Sequence, residues 1–581
     1  MDAWWIWSWP GMRKSSRLLK MNPYGKLQLI SNSEYAVCAQ ILRLFFGRSS
    51  QQGDELIFPF YSGQITKSPQ GVIITVSADT EVDSEELTGL RQVKNFPQDR
   101  LRPSVRLEIS LQAEDLHKFY CQTNLPDFRR NLKRELYLAL SFWTGIKFPW
   151  GSLTGVRPTQ IFSQLLESCG REEAGKILTT DWGVSKEKTE LGIEVAAAED
   201  AIVSRYDQGE DYVVYCGLPF CPTRCSYCSF TTRDAGRYAD KLELYVEAML
   251  REAGQFFHGR TKKAAAIYFG GGTPTSLPAD LFARYTTGLL DLIPHDDKTE
   301  LTMEAGRPDT LDTKMLEIIR AAGFARLCIN PQTMHDSTLT AIGRRHTVAD
   351  TLAAYRLARE IGDFIINMDL IYGLPGERSG DFLSSLEQVL ALKPENITLH
   401  SLALKQSARL MEDMQELAKA SARPMGGISE PVKPLAVLIE DKSELMKEPS
   451  RRMEDKSELA KPSARLMEEL KKIHPDPLLA QELAEAYKRL RSNNYSPYYL
   501  YKQKRSRGAL ENTGFSKPGC ESVYNVLMMS DRFTVIGLGS GATSKFIQPA
   551  GLVRQHNSKD LADYMNRVTE YVEKKLQLLT S

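Results

Sequence analysis

Four of the nine cysteines fall within thirteen residues, in the run Tyr215 to Phe230, which reads Y-C-G-L-P-F-C-P-T-R-C-S-Y-C-S-F. Cys221, Cys225 and Cys228 are spaced C-x3-C-x2-C directly after an apolar stretch, Tyr212 to Tyr215, that reads as a strand. Thiolates are soft ligands, and three on one short loop suit two kinds of centre. They can hold three corners of an iron–sulfur cube, or three positions of a tetrahedral zinc site completed by Cys216. Cys216 falls near the end of the strand rather than on the loop. No second C-x2-C or H-x3-H pair follows, so the zinc reading is the weaker of the two.

The elements that position this loop show as a rhythm of strand, loop and helix from Asp211 onward. Six strands are expected, at Asp211–Cys216, Ala264–Phe269, Glu300–Glu304, Arg326–Gln332, Phe364–Ile371 and Asn396–Leu404. Helical stretches alternate with them: Arg237–His258, Pro278–Ile293, Asp312–Ala322, Val348–Ile361 and Gly380–Leu392. Alternation at this spacing means βαβ units and a parallel sheet, and six repeats suit an open, partial (β/α)6 barrel. Chemistry in such barrels sits at the carboxyl ends of the strands. The first strand runs into the cysteine loop, and the second into Gly270-Gly271-Gly272-Thr273, where glycines let backbone approach a ligand closely. The third ends at Glu304 and the fourth at Gln332, with Arg344 following a short helix that Asp336 is placed to cap. Asp369 lies in the fifth, an acid in an apolar run that needs hydrogen-bond donors, which a ribose would supply. Each of these alone is an ordinary structural residue; one at every successive strand end is a site.

In order and spacing these motifs resemble the oxygen-independent coproporphyrinogen III oxidase family of radical S-adenosylmethionine (SAM) enzymes, in its HemZ-type branch. The resemblance rests on the cysteine run together with I-Y-F-G-G-G-T-P-T, E-A-G-R-P-D-T, I-N-P-Q-T-M, G-R-R-H-T, M-D-L-I-Y-G-L-P-G, H-S-L-A-L-K and G-L-G-S-G-A. It is dense from Asp211 to about Lys405 and looser in the tail. It implies a radical SAM oxidoreductase in which Cys221, Cys225 and Cys228 ligate a [4Fe–4S] cluster, with Tyr215 and Phe230 near it. Gly271, Gly272 and Thr273 would hold the methionyl part of SAM, and Glu304, Gln332, Arg344 and Asp369 its polar groups. A reduced flavodoxin- or ferredoxin-like protein would supply the electron. The implied reaction removes hydrogen from two propionates of coproporphyrinogen III, which lose CO2 and an electron to become the vinyl groups of protoporphyrinogen IX.

The chain departs from the family pattern in three places. Authenticated oxidases have a further cysteine two residues past the third ligand, where this chain has Phe230. The fourth strand reads N-P-Q where many relatives read G-V-Q, which leaves Gln332 in place. Haem-binding relatives carry a His-Asn pair followed by Tyr-Trp; here the tail reads Tyr524-Asn525-Val526-Leu527-Met528-Met529, without the histidine or tryptophan. Two functions from different classes are therefore to be separated, an oxidase and a haem-binding or haem-delivery paralogue that keeps cluster and SAM.

At 581 residues the chain is long enough for three or four domains. Its 74 basic against 73 acidic residues exclude the strong field of a nucleic-acid binder, and no apolar run reaches the ~18 residues of a membrane span. Odd, clustered cysteines fit a reducing cytoplasm. Residues 1–20, with Trp4, Trp5, Trp7 and Trp9, read as a tail with Met21 as an alternative start. Residues 21–208 read as an accessory α/β domain, with strands at Gly71–Ala78 and Ser104–Leu111 and helices at Phe128–Trp143 and Pro158–Ser168. Trp150 and Arg157, in the Gly/Pro loop between those helices, are either ligand contacts or packing. The barrel spans 209–405. Residues 406–468 form a repetitive insertion: S-A-R-L-M-E at Ser407 recurs at Ser463, 56 residues on, and E-D-K-S-E-L at Glu440 recurs at Glu454, 14 residues on. Five prolines interrupt any coiled coil there, so a solvated, mobile segment is expected. Residues 469–581 read as a small, mainly helical domain closing the barrel mouth, whose Gly537-Leu538-Gly539-Ser540-Gly541 lacks the βαβ context of a nucleotide fingerprint. Lys405 and Arg409 are candidates for the substrate carboxylates.

Overall fold

The computed structural model describes residues 128–403 except 145, 156, 229 and 231, and residues 476–580 except 504, 505 and 550. Before these it describes residues 19–22, 41, 50–52, 55–58, 61–68, 71–78 and 106–112. The insertion 406–468, Lys405 and Arg409 lie outside the described residues, as does the tail up to residue 18.

Strands β1 (Leu19–Asn22), β2 (Ser50–Gln52), β3 (Glu55–Phe58), β4 (Tyr61–Ser68), β5 (Gly71–Ala78) and β6 (Arg106–Gln112) form one antiparallel sheet in the order β1-β6-β5-β4-β3-β2. Three long helices follow, Phe128–Thr144, Thr159–Lys176 and Lys186–Val203. The last is started by Ser185, whose side chain accepts the Lys188 N–H. These helices share one core with the barrel: Trp150, Phe162, Leu178 and Val195 belong to the same buried cluster as Val214, Ile267 and Leu399.

The second sheet has eleven strands. Its centre is β7 (Tyr212–Leu218), β10 (Ala266–Gly271), β11 (Glu300–Glu304), β12 (Arg326–Cys328), β13 (Ile365–Tyr372) and β14 (Asn396–Ser401), all parallel and neighbours in chain order. These are the six expected strands, and the intervening helices pack on the outer face. Two short strands, β8 (Phe220–Cys221) and β9 (Arg233–Asp234), pair with each other and close the base of the cysteine loop.

The C-terminal segment has the expected helices, Pro477–Ser492, Val523–Ser530, Leu561–Asn566 and Val568–Thr580, and adds strands to them. It carries β15 (Ser496–Lys502), β16 (Glu511–Ser516), β17 (Thr534–Leu538), β18 (Thr543–Gln548) and β19 (Gly551–His556). The hairpin β15–β16 extends the sheet beyond β14, and β17 pairs in parallel with β7 at the other side. The run S-P-Y-Y-L-Y is buried along nearly its whole length, and its register against β16 shifts between Pro497 and Tyr499. The G-x-G-x-G run ends β17 as structure: the Gly539 N–H donates to Glu252 Oε2 at 2.8 Å.

Period-two alternation divides each central strand. Ile267, Phe269, Leu301, Met303, Leu327, Ile366, Met368, Ile397 and Leu399 pack outward under the helices. The alternate positions face inward as three polar layers. Their side-chain contacts define them: the lowest joins Arg326 to Glu300 and Asn396, the middle joins Tyr268 to Cys328 and Asn367 to Thr398, and the upper joins Asp369 to His400 beside Glu304. The helix Val523–Ser530 plugs the bottom, its N-terminal amides at Val523 and Tyr524 donating to the Glu300 carboxylate at 2.9 Å each.

Candidate functional site

The cysteine loop is held from three sides. Its foot is fixed by backbone bonds, Arg233 N–H to Pro219 O at 2.7 Å and Ala235 N–H to Cys221 O at 2.9 Å. Its middle docks on the turn after the helix Asp336–Ala341, where Ser226 N–H donates to Ile342 O at 3.0 Å. Arg307 reaches in from β11's end and donates to Thr223 Oγ1 at 2.8 Å while paired with Asp309 at 2.8 Å. Burial pushes the thiol of Cys221 up to about 12 and raises that of Cys228. Metal ligation takes thiolates, so loading this loop releases protons. Thr273 Oγ1 lies 3.5 Å from Cys221 Sγ, joining the glycine run to the first ligand.

Cys216 is fully buried among the core side chains of β7's outer face, away from the loop, so the four-cysteine zinc set is not assembled. Among the described residues no group of three or more His, Cys, Asp or Glu side chains is placed to hold a single ion. The thiols of a cube-binding loop belong to separate iron corners and do not have to meet at one point.

The glycine run ends β10 beside this loop. Gly271 has φ +111, and a Cβ at Gly272 would stand 2.3 Å from Phe220 O. Glycine is therefore demanded here by the neighbouring strand before any ligand is considered. The amides are spent inside the fold: Gly271 N–H on Glu304 Oε2 at 3.2 Å, Gly272 N–H on Leu218 O at 2.7 Å, and Thr273 N–H on Phe220 O at 2.7 Å. What this run can offer a ligand is its carbonyls, which suit an ammonium group.

The structure brings Glu304 and Asp369 together across the barrel and adds a residue that sequence reasoning missed. His400 Nε2 lies 3.4 Å from Asp369 Oδ2, and its Nδ1 lies 3.2 Å from the Tyr501 hydroxyl. Asn367 Nδ2 donates to the other Asp369 oxygen at 2.7 Å. Burial alone would raise Asp369, but His400, Asn367 and Thr398 outweigh it and hold the carboxyl below its usual value. Glu304 has fewer donors. Burial, reinforced by the charge of Asp369, pushes it up to about 7. The signal for His400 was the polar residue closing the sixth strand in H-S-L-A-L-K; Tyr501 had none, because β15 is a hundred residues away in the chain.

The other expected residues divide. Gln332 is buried with φ 71, its N–H donating to Asp369 O at 2.9 Å and its carbonyl accepting from Ile371 N–H at 2.9 Å. A non-glycine residue held at positive φ is local strain of the kind found at sites. Tyr215 is part-buried on the inner face of the sheet, stacked on Tyr268 at 6.2 Å. Arg344 ties the ends of β11 and β12 together, donating to Gly306 O at 3.1 Å and Asn330 O at 2.6 Å, and reaches Tyr227 on the cysteine loop at 3.5 Å. Its Nε is buried with no hydrogen-bond partner, as is Asn330 Oδ1 nearby. Phe230 is 62% exposed, turned to solvent on the loop's outer side. Asp336 does not cap its own helix; it accepts the Val348 N–H at 2.7 Å, at the start of the next helix, which Thr347 caps. Trp150 is spent on packing, its indole donating to Glu511 at 2.7 Å, while Arg157 pairs with Asp531 away from the cysteine loop.

The Radical SAM superfamily profile matches residues 215–389. The chain is 35% identical over 447 residues to the oxygen-independent coproporphyrinogen-III oxidase-like protein HemZ of Bacillus subtilis, covering 75% of this chain and 78% of that one. The chain belongs to this radical SAM family. Its cofactors are a [4Fe–4S] cluster and SAM. The heme chaperone HemW of Bacillus subtilis is 32% identical over 212 residues, 35% of this chain and 53% of its own. Among solved structures, coproporphyrinogen III oxidase HemN of Escherichia coli aligns with a TM-score of 0.42 at 19% identity, over 65% of this chain and 73% of that one. The local residues fit the cofactors: a three-thiol loop, a glycine run beside it, an under-donated carboxylate, and orphaned buried polar atoms at Arg344 and Asn330.

Proposed function

We propose that this protein catalyses the oxygen-independent oxidative decarboxylation of coproporphyrinogen III to protoporphyrinogen IX. The observation that carries the reading is the match to an oxidase-like relative over three-quarters of both chains. Cys221, Cys225 and Cys228 would hold three irons and leave the fourth to SAM. The carbonyls of the glycine run and Glu304 would take the SAM ammonium, Arg344 Nε its carboxylate, and Asp369, oriented by His400 and Asn367, the ribose hydroxyls. Cluster and SAM together supply a 5′-deoxyadenosyl radical able to take hydrogen from a propionate carbon. The chain's own contribution is to fix that geometry, to exclude water by the aromatic plug below, and to keep Glu304 ready to ionise. A one-electron donor of the flavodoxin or ferredoxin class would complete the cycle.

A haem-delivery function is the second reading, favoured by the HemW match over the barrel and by Phe230 in place of a cysteine. Against it, Tyr524 is buried and stacked on Tyr268 at 4.6 Å, so the tail position where relatives bind haem is spent on packing. The deciding experiment is anaerobic. Protein reconstituted with iron and sulfide is reduced and given SAM, and 5′-deoxyadenosine is quantified with and without coproporphyrinogen III. Loss of two CO2 per porphyrin with matching deoxyadenosine establishes the oxidase. A stable haem complex with unchanged porphyrin mass establishes the alternative.

A further inference from the structure

A second constellation lies at the opposite end of the sheet from the cysteine loop. Asp531 precedes β17, which runs parallel to β7, so it sits at the amino ends of these strands. Lys545 is in register with both Val535, near the start of β17, and Arg554 on β19. Here the loop before the helix Thr159–Lys176 meets the C-terminal strands around a cavity of about 410 Å³, lined by Arg130, Lys133, Arg157, Arg554, Trp182 and Asp531. Its volume lies within the range of small-molecule sites.

Charge in this cavity is out of balance. The single carboxylate of Asp531 serves three cations: Arg157, Lys545 at 3.1 Å and Arg554 at 3.8 Å. Arg157 Nε is buried with no hydrogen-bond partner. Neighbouring acids do not restore the balance. Asp200 is engaged by Arg532 at 3.0 Å, and burial pushes Glu199 up to about 8, so it is mostly protonated at neutral pH. The crowding shows on the cations: Lys545 is lowered to about 7, by burial and then by Arg157 and Arg554. Lys545 is buried and Arg157 largely so, while Arg554 is half exposed at the rim; cations drawn from water in excess of their partners are costly unless an anion joins them. Leu153, Ile161 and the Trp182 ring supply an apolar wall beside the charged one.

We propose that this cavity binds a small phosphate-bearing organic ligand of nucleotide size, its phosphates on Arg157 and Arg554 and its ring against the Trp182 wall. Arginine suits this task because its planar fork donates two parallel hydrogen bonds to phosphate oxygens. The site is separate from the radical centre and does not depend on which tetrapyrrole reaction, if any, occurs there.

The test is isothermal titration of the cluster-loaded full chain with ATP and, separately, with coproporphyrin III. Three proteins are compared: the parent, the double variant Arg157→Gln/Arg554→Gln, and Arg284→Gln, whose arginine pairs with Glu243 and Glu247 on a barrel helix. ATP is expected to bind the parent, more weakly as salt rises, and at least about tenfold more weakly to the double variant. Arg284→Gln is expected to bind as the parent does. Unchanged cluster absorbance and melting temperature in the double variant show that it is folded. Absence of ATP binding at millimolar concentration overturns the proposal, as does an equal loss in Arg284→Gln. A coproporphyrin binding event lost in the double variant, with no ATP binding, overturns the phosphate assignment.

Discussion

Buried carboxylates occur in two settings in this molecule, and they are equipped differently. Glu252, in the packing layer between a barrel helix and the C-terminal segment, is met by Lys575, Tyr564 at 2.6 Å, Asn557 at 2.7 Å and the Gly539 amide at 2.8 Å. Glu511, on β16, is met by Lys188, by the Trp150 indole and by the Tyr487 hydroxyl at 2.7 Å each. Both bind distant parts of the chain together, Glu252 with four donors and Glu511 with three, and each has a lysine as counter-ion. Glu304, at the barrel mouth, has the Gly271 amide at 3.2 Å, the Tyr268 hydroxyl, and an anionic neighbour, Asp369. A carboxylate given a cation by the fold is cement. One denied a cation is a place where a cationic ligand gains binding energy by supplying it.

That contrast can be broken at either end. The largest expected effect is at Lys575: Lys575→Met leaves Glu252 buried and charged without a counter-ion, and should cost about 3–5 kcal/mol, read from the denaturation midpoint. Glu304→Gln should act in the reverse sense. It removes a poorly solvated charge, so the midpoint should hold or rise, while SAM affinity in equilibrium dialysis should fall at least about tenfold. A fall in stability equal to that of Lys575→Met would make Glu304 structural and erase the distinction. The pH dependence sharpens the same point. Glu304 titrates at about 7 without ligand, and a bound ammonium favours its ionised form. SAM affinity should therefore be full above that value and weaken by up to about tenfold per unit as pH falls below it, with Glu304→Gln flat over the same range. The smallest effect is expected from deleting Glu412 to Met467, the repeated units: cluster binding and SAM cleavage should be unchanged, and loss of either would make the segment part of the fold.

Much of the barrel was legible because its signals are local. Each strand announced itself by β-branched and aromatic residues, each helix by its apolar face, and the cysteine spacing carries its chemistry within one loop. The inward ladder Glu300-x-Thr302-x-Glu304 and Asn396-x-Thr398-x-His400 is legible too, as polar residues in period two, although a strand interior such as that of Asp369 reads at first as a uniform apolar run. The C-terminal strands were not legible as barrel extensions. β17 pairs with β7 across more than three hundred residues of sequence, and no local pattern records which edge a strand will join.

By itself, the sequence determined the class of chemistry and which residues stand at the ends of which strands, because ligand type, spacing and periodicity are properties of neighbouring residues. Only the tertiary structure decided how those residues are spent. It tied the ends of β11 and β12 together through Arg344, used the amides of the glycine run inside the fold, set His400 and Tyr501 behind Asp369, and left Glu304 short of donors. It also gathered Arg157, Lys545 and Arg554 around one carboxylate, from segments about four hundred residues apart. Burial and counter-ion supply depend on which distant side chains arrive at a point, and that is settled when the sheet closes.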